Sequence, residues 1–404
     1  MENVDVIVIG AGQAGLATSY HLTDSGVDHV VIERDRVAQS WRDRWDSFTL
    51  VLPNWTLRLP GHHYESDEPD GYMPRDAIVS YLEDYARKIP APLREDVEVN
   101  SLQRESDDWV VDTSEGPMRS NSVIVATGAF QQAVTPPGWG DIPDPIHTTL
   151  VGAYRSPEDL PPGKVLVIGS GQSGCQIAED LVIGGREVFL SCGRAPWLPR
   201  RAGSRDIYWW LDQSGFMEMV PEDLSDPRER LGANPQLTGR DGGHDLHFRT
   251  LHEMGVTLLG HYAGSDPRSA RFAPDLAASI GFGDQAYRQL RELVGKVASE
   301  HGEAIDLPDP EPWKLGSPEA LDWDGVGAVV SASGFRPAYR SWIDLPEAFD
   351  ELGFPVQGSA GSGVFSGLHF VGVHFLRKRR SALFSGVGED AEVVVEKVAA
   401  RLSA

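Results

Sequence analysis

Residues 6–17 read Val6-Ile7-Val8-Ile9-Gly10-Ala11-Gly12-Gln13-Ala14-Gly15-Leu16-Ala17. The Val/Ile-rich run over residues 4–9 predicts a buried parallel strand. A glycine-rich turn, Gly10 to Gly15, follows it, and a helical stretch runs to about Ser25. A second apolar run, 29–32, ends at Glu33. Together these predict one βαβ unit with a dinucleotide-binding turn. Gly10 permits the tight turn, Gly12 lets backbone approach a pyrophosphate, and Gly15 lets helix pack on strand. Gln13 and Ala14 open the helix, whose free N–H groups and dipole favour an anion. A carboxylate at Glu33 suits ribose hydroxyls without a 2′-phosphate, so this site reads as one for FAD or NAD.

The pattern returns about 159 residues later, as Val165-Leu166-Val167-Ile168-Gly169-Ser170-Gly171-Gln172-Ser173-Gly174-Cys175-Gln176, and a duplicated unit accounts for the match better than chance. The expected strand is 164–168, the helix 175–183 and the next strand 187–190. No carboxylate closes that strand; Ser191, Cys192 and Gly193 stand there, followed by Arg194, Arg200 and Arg201. Guanidinium groups bind a 2′-phosphate that a carboxylate would repel, so the second site reads as one for NADPH. Two nucleotide sites of opposite preference imply hydride transfer from NADPH to FAD.

The fold class expected is α/β, with two Rossmann-like three-layer dinucleotide-binding domains, the FAD domain interrupted by the NADPH domain. Residues 1–155 would form the first part of the FAD domain. Residues 156–324 would form the NADPH domain, with an inserted segment at about 196–290. Residues 325–404 would complete the FAD domain. Further strands are expected at 97–102, 109–113, 122–125, 327–331 and 369–373, and helices at 76–88 and 386–402. Loops or linkers are expected at 135–145, 156–163 and 316–324.

Composition narrows the function classes. The 404 residues include 60 acidic and 36 basic ones, for a net charge of −24. Such a surface repels phosphate backbones and anionic lipid, so neither nucleic acid nor membrane is an expected partner. No apolar run approaches the ~18 residues of a membrane span, and the acidic N-terminus leads straight into a strand; a soluble cytoplasmic protein is expected. Cys175 and Cys192 form neither a disulfide framework nor a CxxC pair, and Cys175 reads as a packing residue. No metal-ligand spacing is visible. The pairs His62, His63 and His244, His247 read as loop histidines. Oligomeric state is left open, a homodimer being compatible.

Beyond the two turns, the chain resembles the class B flavoprotein monooxygenases, the flavin-containing monooxygenase and YUCCA group. The segment Ser40-Trp41-Arg42-Asp43-Arg44-Trp45-Asp46 is similar to the family's GxWRxRYD-type segment over the flavin. Asn54, in Leu52-Pro53-Asn54-Trp55, stands in the place of the family's active-site asparagine. Ala126-Thr127-Gly128 matches its ATG turn, and Ser333-Gly334-Phe335 a later version of it. Residues 381–391 resemble the start of its terminal helix beneath the isoalloxazine. The resemblance implies that the cofactor-binding residues also include Arg34, Ser40, Trp41, Val99, Gly334, Gly372 and Leu383.

The activity implied is NADPH-driven monooxygenation of a small organic substrate by O2, through a C4a-(hydro)peroxyflavin, with the Asn54 amide as donor to the peroxide. Asn54 as a mere turn cap is the bland alternative. The family's FxGxxxHxxxY/F sequence is loosened here: Trp139-Gly140 precedes His147, and Val151 holds the aromatic's place. That departure argues against a standard Baeyer–Villiger enzyme. The aromatics of Arg205-Asp206-Ile207-Tyr208-Trp209-Trp210-Leu211 could wall a pocket or pack an interface. The basic run Arg377-Lys378-Arg379-Arg380 could face phosphates or lie solvated. Two other functions stay open: an NADPH-dependent reductase of the thioredoxin or ferredoxin reductase type, and a non-catalytic flavoprotein that senses NADPH.

Overall fold

The computed structural model describes residues 1–358, 361 and 363–403. Its two main sheets correspond to the two glycine turns. In the first, the strand Glu2–Ile9 lies between His29–Ile32 and Met118–Val125, parallel to both. Leu93–Arg94 extends one side in parallel. The far edge of Met118–Val125 is shared: Leu368–Phe370 pairs with its second half, and the antiparallel hairpin Val99–Glu105/Asp108–Thr113 with its first. Alternation sorts the side chains. Val6, Val8, Val31 and Ile124 face the helices Gln13–Asp24, Arg75–Lys88 and Val387–Leu402. Ile7, Ile9, Val30 and Val125 face a layer of hairpin and irregular chain built on Trp109, Phe349 and Phe354.

The helix Arg75–Lys88 shows why the local sequence folds so. Ile78, Val79, Leu82 and Tyr85 form one buried stripe, Asp76 sits in its first turn and Arg87 and Lys88 in its last. That is helical spacing with charges matched to the dipole.

The second sheet is wholly parallel, in the order His147–Leu150, Val326–Ser331, Lys164–Ile168, Val188–Ser191, Thr257–Leu259. The helix Gln172–Ile183 covers one face through Cys175, Ile177, Ala178 and Leu181. A three-stranded ribbon with Tyr262, Phe272 and Trp323 covers the other.

This pairing moves three expected boundaries. His147–Leu150 and Val326–Ser331 both belong to the second sheet, so residues 147–155 leave the first unit and the closing part starts after Ser331, not at 325. Residues 196–290 are no insertion, because Thr257–Leu259 is a strand of the sheet itself. The 25-residue helix Leu276–Glu300 crosses the expected end of that segment. The linker expected at 316–324 contains the strand Ala320–Asp322. The strands expected at 29–32 and 164–168 stand as expected, and strand ends elsewhere shift by up to four residues.

Candidate active site

The first turn is built as glycine chemistry requires. Gly10 has φ +105°, and a Cβ there would stand 2.9 Å from the Ala126 carbonyl oxygen. A Cβ on Gly15 would stand 1.8 Å from the Gly10 oxygen. Gly12 differs, since among the described residues a Cβ there would meet no atom within 4 Å. The backbone at that position is therefore open to the close approach of a pyrophosphate. The helix Gln13–Asp24 begins there without a side-chain cap, leaving first-turn N–H groups for an anion. These residues fit a pyrophosphate.

Several expected flavin-site residues converge on this turn. One Glu33 carboxylate oxygen accepts from the Ala11 amide at 2.7 Å, the other from the Asp35 amide at 3.1 Å. An ionised carboxylate keeps further lone pairs for ribose hydroxyls. The Trp41 indole donates to Gln13 Oε1 at 3.1 Å, and Gln13 Nε2 donates to the Ala382 carbonyl at 3.3 Å. The Trp41 ring stacks on Phe384, centroids 5.6 Å apart. Thus the start of the terminal helix and the segment after Glu33 meet at the first turn. Gly372 (φ +81°) packs on Ala14, where a Cβ would fall 2.5 Å from the Ala14 methyl. The carbonyl of Gly128 accepts from Tyr339 Oη at 2.6 Å, which fixes the Ala126-Thr127-Gly128 turn behind Gly10. Arg34 is exposed and pairs with Asp35, and Ser40 is exposed.

Val97 lies beside Glu33, its amide donating to the Glu33 carbonyl at 2.9 Å, and Val99 pairs with Thr113 in the hairpin. Gly334 belongs with the second turn. A Cβ on Gly169 would stand 2.5 Å from the Ala332 oxygen, so the Ala332–Gly334 stretch backs the second turn as Ala126–Gly128 backs the first.

The second turn otherwise repeats the first. Gly169 has φ +100°, and a Cβ on Gly174 would stand 1.9 Å from the Gly169 oxygen. The Ser170 hydroxyl accepts from the Gly193 amide at 2.9 Å, tying the turn to the end of Val188–Ser191. Gln172 and Ser173 open the helix at the half-buried Gly171. Of the three arginines, Arg194 and Arg201 are exposed, and their side chains have no hydrogen bond or ion pair among the described residues. Arg200 is removed from the phosphate set. It is 2% exposed, paired at 2.7 Å with the equally buried Asp206, and donates to the Val51 carbonyl at 2.9 Å. Its guanidinium lies over the Tyr72 ring, 4.8 Å from the centroid. Sequence proximity had grouped it with Arg194; the buried carboxylate six residues later decides otherwise.

Asn54 opens a short 3-10 turn and braces the neighbouring loop. It is 4% exposed, and its Nδ2 donates to the Glu68 carbonyl at 3.0 Å and Tyr64 Oη at 3.3 Å. In this structure both amide hydrogens are directed at residues 64–68. Asn54→Ala should cost about 1–3 kcal/mol of stability and leave the yield of product per NADPH unchanged; hydrogen peroxide release by that variant would return Asn54 to the reacting centre.

The basic run is half-buried and held by carboxylates and aromatic rings. Arg377 pairs with Asp390 at 2.9 Å, Lys378 with Glu389 at 2.6 Å and Glu218 at 2.8 Å, and Arg380 with Glu218. Arg379 lies between the Phe216 and Phe375 rings. The run fastens the closing segment to residues 212–219. The aromatics of 205–211 pack an interface: Trp210 is fully buried, and Tyr208 meets Trp55 and Ser385 Oγ, beside Leu383. His147 is exposed on an edge strand, with no side-chain partner among the described residues. His62 stacks on Tyr81, His244 pairs with Glu179 at 2.5 Å, and His247 caps a helix. None joins a metal-ligating cluster among the described residues. Both thiols are fully buried, and burial pushes both upward in pKa.

Residues no motif flagged also matter here. Tyr339, Gln236 and the buried pair Glu179 and Asp180 hold the turns and the seam between the sheets. Asp180 accepts from Ser47 at 2.6 Å, Tyr154 at 2.7 Å and Arg240 at 3.0 Å. For Glu179 and Asp180, only their polarity inside the apolar helix 172–183 could have signalled them.

The chain is similar to known proteins over most of its length. Residues 7–212 match the family described as pyridine nucleotide-disulphide oxidoreductase. An uncharacterized CzcO-like oxidoreductase of Geobacillus kaustophilus is 32% identical over 399 residues, 98% of each chain. The probable indole-3-pyruvate monooxygenase YUCCA8 of Arabidopsis thaliana is 33% identical over 410 residues, covering 97% of this chain and 88% of that one. Among solved structures, a flavin-containing monooxygenase from Stenotrophomonas maltophilia superposes over 100% of both chains with a TM-score of 0.69 at 20% identity.

Proposed function

The chain belongs to the pyridine nucleotide-disulphide oxidoreductase family and is a class B flavoprotein monooxygenase using FAD and NADPH, and from that premise we propose that it inserts one atom of O2 into a small organic substrate. The observation carrying the site assignment is the pair of like-built turns with unlike ribose ends, Glu33 at one and Arg194 at the other.

FAD belongs to the first turn and NADPH to the second. Bound flavin supplies hydride acceptance and oxygen activation, which no side chain can. The chain's own groups bind and orient. Gly12 and the uncapped helix behind it receive one pyrophosphate, and Gly171 with the helix Gln172–Ile183 the other. Glu33 takes the flavin-side ribose hydroxyls, and Arg194, with Arg201, the 2′-phosphate. Gln13 and Trp41 hold the start of the terminal helix against the first turn through Ala382 and Phe384. Tyr208, Trp55, Leu383 and Ser385 close the seam there, keeping water from the reacting region.

Arg194→Ala should raise KM for NADPH roughly 10- to 100-fold, the worth of a charge-assisted phosphate contact, with KM for NADH unchanged. An equal rise for both nucleotides would sink the 2′-phosphate role. A reductase that relays electrons through a dithiol is disfavoured, since Cys175 and Cys192 are fully buried. Supplying a dye acceptor to NADPH-reduced enzyme separates the readings: a monooxygenase passes its electrons to O2 in preference.

A further inference from the structure

The two glycine turns differ in one respect. Above Gly12 a Cβ would meet no protein atom within 4 Å, whereas above Gly171 it would meet the Ala233 methyl at 3.4 Å. Ala233 lies on a segment that crosses the mouth of the second turn. Next along it, the Pro235 carbonyl accepts from Gln172 Nε2 at 3.1 Å. Gln236 is fully buried and its Nε2 donates to the Ser170 carbonyl, inside the turn, at 2.8 Å. Its Oε1 is buried without a partner, a costly state for an amide in the protein interior. The other end of the segment is anchored on the first unit. Arg230 pairs with Asp350, lies 4.5 Å from the Phe354 centroid, and lends its carbonyl to His374 Nε2 at 2.9 Å.

We propose that residues 226–238 form a strap that occludes the second dinucleotide turn, latched by Gln236 and anchored by Arg230, and that NADPH must displace it to seat its pyrophosphate. The strap spans both units, so its opening couples nucleotide entry to the seam between them. Among the described residues nothing stands within 4 Å of the same point above the first turn, so FAD needs no such displacement. The proposal rests on the assignment of NADPH to the second turn.

Hydrogen exchange on the FAD-loaded protein, with and without NADP⁺, tests it. The strap proposal expects slower exchange over 169–174 together with faster exchange over 229–236. Protection of both stretches would overturn it, making the segment a fixed wall. No change at 169–174 would instead overturn the NADPH assignment beneath it. In stopped flow, Arg230→Ala should raise the association rate of NADPH roughly tenfold, the loss of one charged contact, with FAD content unchanged. An unaltered association rate in both Arg230→Ala and the milder Asp350→Asn would contradict the strap's role.

Discussion

Gly174→Ala should yield a protein that purifies with FAD yet is scarcely reduced by NADPH, while Gly15→Ala should yield one that fails to retain FAD. The added methyl would stand 1.9 Å from the Gly169 oxygen in the first case and 1.8 Å from the Gly10 oxygen in the second. The obstacle is backbone carbonyl in a left-handed turn, not a flexible side chain that could swing aside. Relief needs the turn to open, which misplaces the very N–H groups that meet a pyrophosphate. Overpacking of this kind costs about 1–3 kcal/mol or more, so binding at each site should fall by about 100-fold. Flavin content after purification and the rate of anaerobic flavin reduction by limiting NADPH check the pair. The selectivity is the informative part: Gly174→Ala must spare FAD. Loss of FAD from Gly174→Ala and its retention by Gly15→Ala would reverse the assignment of the two turns.

Arg200→Ala should destabilise the protein by about 3–5 kcal/mol, because it strands a buried carboxylate. Asp206 is 2% exposed and accepts from Arg200, from Tyr72 Oη at 2.5 Å and from the Tyr208 amide at 2.7 Å. Burial and the Asp206 charge hold the Tyr72 phenol well above its usual pKa, so it remains a donor. Two hydrogen bonds to Asp206 survive the substitution, but its countercharge does not. The Val51 and Thr238 carbonyls lose a donor as well. The cluster ties Tyr72 and Val51 of the first unit to residues 200–208, so the seam should loosen with it. A urea midpoint shows the loss directly. Replacing both charges, as in Arg200→Met with Asp206→Leu, should recover much of it. A folded Arg200→Ala protein of normal stability but poor NADPH binding would restore Arg200 to the phosphate set.

Much of this architecture is legible in the sequence because the dinucleotide turn ties fold to chemistry at fixed positions. Gly10, Gly12, Gly15 and Glu33 have their roles by local spacing, and so do Gly169, Gly171 and Gly174. What the sequence hides is set at long range. Arg200 and Arg194 look alike along the chain, and only Asp206 and Tyr72, folded against the former, separate them. Asn54 occupies a suggestive place, yet its amide is spent on Glu68 and Tyr64. Val326–Ser331 joins the second sheet after a separation of more than a hundred residues, which no local pattern announces. The strand Thr257–Leu259 is too short to announce itself. The helix Leu276–Glu300 carries glycines at 281, 283 and 295 that blur its period.

The oxygen half-reaction tests the central claim most directly. FAD-loaded protein is reduced anaerobically with one equivalent of NADPH, then mixed with oxygenated buffer without substrate, and its absorbance is followed. A monooxygenase whose two sites hold their nucleotides as described should show a stable near-ultraviolet absorbance before the oxidised flavin spectrum returns. Return of that spectrum in one step, with hydrogen peroxide released in equal amount from the outset, would contradict the account.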